Sequence, residues 1–126
     1  MSVLVDTSVW VNHFRNSDAA LVDLLLSDQV LTHPLILLEI ACGTPPAPRS
    51  NTLAALGRLQ PVNPASFDEV AEFIEREQLF VLCCGAVENS LLASTLITPG
   101  ATLWTADKRL FTLCQRFDIA YQPDLH

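Results

Sequence analysis

Apolar residues along this chain fall in short runs separated by cap and turn residues. Ser2 to Val5 is one such run, closed by Asp6, and reads as a buried strand. Thr7 to Phe14 has helical spacing. Ser17 is a candidate cap for a second helix through Leu26. Val30 to Thr32 is a short strand, and Pro34 opens a helix that stops at Gly43. Thr44 to Pro48 carries three prolines and reads as a loop. A helix over Thr52 to Leu59 and a brief edge strand at Gln60 to Asn63 follow. Ser66 with Glu69 forms a capping-box pattern opening a helix to about Gln78, with Phe67, Val70 and Ile74 on one face. The apolar run Leu79 to Cys84 ends at Gly85. Ala86 to Ile97 is helical, Thr102 to Thr105 a strand, Lys108 to Arg116 a helix and Ile119 to Tyr121 a last short strand.

Strands alternating with helices predict an α/β fold. The expected form is a three-layer α/β/α domain with a central, mostly parallel sheet of four or five strands. With 126 residues, half of them hydrophobic, the chain predicts a single domain over 1–126. A charged fraction of 17% and a mean hydropathy of +0.33 predict a folded chain. No apolar run approaches the roughly 20 residues of a spanning helix. The N-terminus lacks the basic region of a signal peptide, so the expectation is a cytoplasmic protein without membrane contact. Cys42, Cys83, Cys84 and Cys114 form no C-x-x-C pair and read as small buried apolar residues. The net charge of −7 argues against gripping nucleic acid by charge alone. That objection weakens if four of the acids are metal ligands.

The positions of the acids carry the functional expectation. Asp6 ends the first strand and Asp107 follows the strand near Trp104, and open parallel sheets bind ligands beyond the carboxyl ends of their strands. Either Asp is equally at home as a helix cap. Glu39 lies among Leu35, Ile36, Leu37, Leu38 and Ile40, with no polar helix face around it. A buried carboxylate there needs a metal or an arginine. Glu88 heads a stripe of Leu91, Leu92 and Leu96 in a first helical turn, where the helix dipole alone also suits an acid. If the four converge, their mutual repulsion requires cations. Oxygen-only ligands favour magnesium or manganese. Such a centre activates water and steadies the leaving oxygen of a phosphodiester.

Four motifs resemble those of PIN domains. Val5-Asp6-Thr7-Ser8-Val9-Trp10 is similar to their opening motif and Leu38-Glu39-Ile40 to their second acidic position. Val87-Glu88-Asn89-Ser90-Leu91-Leu92-Ala93 is similar to the third, and Thr105-Ala106-Asp107 to the closing Thr-x-Asp. The resemblance spans nearly the whole chain and is nearest to the compact VapC-like toxins of toxin–antitoxin pairs. It implies a Mg- or Mn-dependent endoribonuclease with Asp6, Glu39, Glu88 and Asp107 as catalytic metal ligands. Ser8 and Thr105 take supporting hydroxyl positions. It further implies an RNA substrate, a homodimer, and an antitoxin whose basic tail enters the acidic groove. Two positions depart from the pattern: Glu88 replaces the usual Asp, and Ser90 stands where a histidine is frequent.

Lys108 and Arg109 beside Asp107 are candidates for RNA contact or for surface ion pairs, and Arg15 and Arg116 are further candidates. His13 reads as a surface or capping residue, and Trp10 and Trp104 as core or dimer contacts. The rival function is a catalytically weak or inactive module that binds a basic partner segment or RNA. A phosphatase working through an aspartyl phosphate would want a second Asp where Ser8 stands.

Overall fold

The computed structural model describes residues 2–82 and 84–123. Its sheet holds β1 (Ser2–Val5), β2 (Val30–Thr32), β3 (Gln60–Pro61) and β4 (Ala101–Trp104), all parallel, in the order β3-β2-β1-β4. β1 pairs with β4 along its whole length, from Ser2 opposite Ala101 to Val5 opposite Trp104. The expected last strand is a single bridge, Ala120 to Leu103, on the free side of β4. The helices are α1 (Thr7–Arg15), α2 (Ala19–Leu26), α3 (Pro34–Cys42), α4 (Arg49–Gly57), α5 (Phe67–Glu77), α6 (Ala86–Leu96) and α7 (Lys108–Arg116). They complete a three-layer α/β/α arrangement. Val3, Leu4 and Val5 are wholly buried, as a central strand covered on both faces requires.

The winding order places the site. From β1 the chain moves outward through β2 to β3, then crosses back to add β4 on the other side of β1. The strand order therefore reverses between β1 and β4, and the crevice beyond their carboxyl ends is where such sheets take ligands. Asp6 follows β1 directly, and Asp107 follows β4 by three residues.

Local chemistry refines several boundaries. Asp18, not Ser17, caps α2, accepting from the Leu21 amide. α4 begins at Arg49 rather than Thr52, because the 44–48 loop is tied to its first turns. The Arg49 guanidinium donates to the carbonyls of Ala41 and Gly43, and Thr52 Oγ1 to that of Pro46. The capping box of α5 forms as expected, with both Ser66 and Glu69 side chains engaged. Phe67 is exposed, however, and Phe73 joins Val70 on the buried face instead. The run after α5 is a 3₁₀ turn over Leu79–Leu82 that buries only Leu79. Of the thiols, Cys114 is buried, Cys84 half-buried and Cys42 exposed on the last residue of α3; Cys83 lies outside the described residues. Burial, with a smaller contribution from the Asp6 charge, pushes the Cys114 thiol up to about 12, so it stays protonated and inert.

His33 joins three segments at the N-terminus of α3. Its Nδ1 accepts from the Leu35 amide at 3.0 Å, so the ring proton sits on Nε2 and is donated to Ser94 Oγ at 3.1 Å. Ser94, on α6, also accepts from the Ala65 amide. Burial of His33 disfavours its charged form and lowers its pKa below 6.5. The folded state then binds fewer protons than the unfolded one. The stability contribution is complete above about pH 6.5 and is lost as pH falls through the folded value. Urea unfolding between pH 7.5 and 5 is expected to show this loss in the wild type and a shallower one in His33→Asn, which keeps a capping side chain. Parallel pH profiles for the two proteins would contradict it.

Candidate active site

Asp6 is the centre of the site. It is the N-terminal flank of α1, yet its side chain makes no capping bond to that helix. Instead Asp6 Oδ2 accepts from Ser8 Oγ at 2.7 Å and from Thr105 Oγ1 at 2.8 Å. Asp6 is 8% exposed, so its carboxylate is mostly withdrawn from water and held by hydroxyls rather than by a cation. Oδ1 makes no hydrogen bond among the described residues. The same hydroxyls fix the loop after β4. Ser8 Oγ accepts from the Ala106 amide and Thr105 Oγ1 from the Asp107 amide, both at 3.0 Å.

Asp107 caps α7 through Oδ1, which accepts from the Arg109 and Leu110 amides at 2.9 and 3.0 Å. The capping alternative therefore holds, its second oxygen is left over, and the backbone amide of Asp107 is tied to Asp6 through Thr105 Oγ1. Glu39 is not the buried carboxylate its apolar neighbours suggest. It is exposed, and so is Leu38 beside it, because α3 turns part of its apolar surface outward. Thr7 Oγ1 donates to Glu39 Oε1 at 2.7 Å, which fixes Glu39 to the residue after Asp6. Glu88 is half-buried in the first turn of α6, where the dipole favours an acid. Its Oε2 lies 2.8 Å from the point a Cβ on Gly85 would occupy, so a side chain there would shift the flexible carboxylate from this position. No hydrogen bond links Glu88 to the other three acids.

Among the described residues, no three His, Cys, Asp or Glu stand close enough to hold a metal ion by themselves. Magnesium does not need three: it commonly keeps several waters and takes one or two carboxylates plus substrate phosphate. The donor chemistry suits it. Both ion pairs among the described residues fall on Glu77, from Arg76 and Arg116, so none of the four acids is neutralised by a cationic side chain. Arg116 pairs with Glu77 at 3.2 Å, and its guanidinium also donates to the Glu77 carbonyl. Lys108 and Arg109 are exposed beside Asp107 with no such pairing.

Two clefts flank this centre. One, of about 390 Å³, lies on the Glu39 side with Phe14, Arg15 and Pro45 in its wall. The other, of about 450 Å³, begins at Thr105. His13, expected as a surface or capping residue, is half-buried, and its Nδ1 accepts from the amide of Asp18, the residue that caps α2. Trp10 is buried in the core. Sequence reasoning missed Thr7 and Gly85. The signals were available: a third hydroxyl residue between Asp6 and Ser8, and a glycine three residues before an acid at a helix start.

The Asp6–Thr105 bond crosses from one strand end to the other. Replacing Thr105 with isosteric Val leaves the Asp107 amide without its acceptor and removes one donor from a buried carboxylate. Urea denaturation is expected to show a loss of about 1.5–3 kcal/mol. A change within about 0.5 kcal/mol would contradict this account of the site.

No protein-family model matches the chain. It is similar to Ribonuclease VapC32 of Mycobacterium tuberculosis, at 41% identity over 123 residues, which is 98% of this chain and 98% of that protein. The same identity and coverage hold for the protein in a second strain of that organism. With so much of both sequences aligned, and with the acids at the β1–β4 edge, the chain belongs to the VapC ribonuclease family.

Proposed function

We propose that this chain is a Mg- or Mn-dependent endoribonuclease of the PIN type, acting as the toxin of a toxin–antitoxin pair. The observation that carries the reading is Asp6: a nearly buried carboxylate, held by two hydroxyls, at the reversal point of the sheet, with Glu39 and Asp107 hydrogen-bonded to the residues around it and paired with no Lys or Arg. The relationship to a protein named a ribonuclease supplies the substrate class.

Asp6 and Asp107 would hold the metal, with Glu39 and Glu88 completing the negative surround. The bound ion would activate water and stabilise the departing oxygen of an RNA phosphodiester. The chain's own residues do the rest. Ser8 and Thr105 occupy Asp6 Oδ2 and so aim its other oxygen outward. Thr7 orients Glu39, and the α7 cap fixes Asp107. Gly85 leaves room for the Glu88 carboxylate in its present position beside the backbone at the start of α6. Lys108 and Arg109 supply positive charge for the RNA backbone. The net charge of −7 suits an antitoxin with a basic tail. A cytoplasmic homodimer completes the proposal, and no helix among the described residues is long and apolar enough to cross a membrane.

Asp6→Asn keeps an acceptor for both hydroxyls while removing the charge. RNA cleavage in manganese is expected to fall by more than about 100-fold, with the urea midpoint near that of wild type. Wild-type cutting by the folded variant would overturn the proposal in favour of a binding module.

A further inference from the structure

The cleft on the Thr105 side combines several rings with a cation, whereas a cleft beside Phe67 and Val70 also lacks a carboxylate but has no cationic side chain in its wall. The wall on the Thr105 side combines Trp104, Phe111 and Tyr121 with Lys108, and contains no carboxylate. The cleft across the site includes Glu39, and that beside α5 includes Glu69 and Glu72. In a chain of net charge −7, a ring-lined hollow with a cation and no acid is a selective place for a phosphate-bearing aromatic group.

We propose that this cleft is a nucleobase subsite, taking the unpaired base next to the scissile phosphate. It rests on the ribonuclease reading above and adds where the enzyme reads its substrate. Four observations support it. The cleft is continuous with the reacting centre, because Thr105 lines it and donates to Asp6 Oδ2. Its volume of about 450 Å³ lies within the usual range of small-ligand pockets, roughly 300–1,000 Å³. Phe111 and Tyr121 are only half-buried, and Tyr121 is set by its ring contact with Trp104 at 5.3 Å between centroids. Lys108, exposed on the first turn of α7 and next to Asp107 in the chain, lines the same cleft and can meet the phosphate joining base and scissile bond. Aromatic platforms of this kind bind single-stranded bases by stacking, with the backbone held by cationic side chains.

The chain has two tryptophans, which makes the test direct. Trp104 lines the cleft, while Trp10 lies in α1 against His13 and Phe14. Titrating adenosine 5′-monophosphate into metal-free wild-type protein is expected to shift the Trp104 indole N–H resonance saturably at millimolar nucleotide. The Trp10 resonance should stay fixed, and inorganic phosphate should move neither. Phe111→Leu is expected to weaken the nucleotide by about tenfold. Lys108→Gln, a surface change, is expected to reduce its affinity to that of adenosine. An unmoved Trp104 resonance, or wild-type affinity in both variants, would overturn the subsite. The measurement needs no cleavage. A protein that cuts RNA without the shift fails the subsite alone, and one that shows the shift without cutting fails the ribonuclease reading alone.

Discussion

Two hydroxyl groups meeting one carboxylate oxygen hold this site together. Asp6 Oδ2 accepts from Ser8, two residues ahead on α1, and from Thr105, just past the end of β4. The second bond closes a separation of 99 residues in sequence. It is possible only because the sheet places β1 and β4 side by side in full register. Each hydroxyl also accepts a backbone amide of the 105–107 turn, so the carboxylate, the turn and the capping aspartate of α7 form one hydrogen-bonded unit.

That unit explains how a charged group survives at low exposure. A carboxylate removed from water costs several kcal/mol unless its oxygens are satisfied. Here one oxygen is satisfied by neutral donors, which preserve the negative charge that an arginine would cancel. The same logic extends to Glu39, which receives a threonine hydroxyl rather than a cation. Three arginines are engaged elsewhere, Arg76 and Arg116 on Glu77 and Arg49 on the end of α3, and neither Lys108 nor Arg109 pairs with the site acids. The negative potential at the strand edge is therefore left for a mobile cation or a basic partner.

The alternation of apolar runs and caps made the fold legible, because strand and helix periods differ and each element is short. Asp6 and Asp107 were legible as strand-end acids for the same reason. For Asp107 the capping alternative holds, through Oδ1 alone, so capping does not use up the carboxylate. Glu39 was misread in its burial. Apolar neighbours along a helix predict burial only if the whole helix is covered, and α3 leaves Leu38 60% exposed. Phe67 failed similarly, since its place on a helical face said nothing of where the neighbouring layer ends. The buried His33–Ser94 pair was invisible, because it joins residues 61 apart through an imidazole that looked like an isolated histidine. The role of Gly85 depends on where the Glu88 carboxylate lies, which no spacing rule reports.

The central claim is that the acids at the β1–β4 edge bind a divalent ion through Asp6. Calorimetric titration of manganese into the wild type and into Asp6→Asn tests this without RNA. Saturable binding is expected in the first and its loss in the second. A wild type that binds no manganese, or a variant that binds it unchanged, would contradict the account.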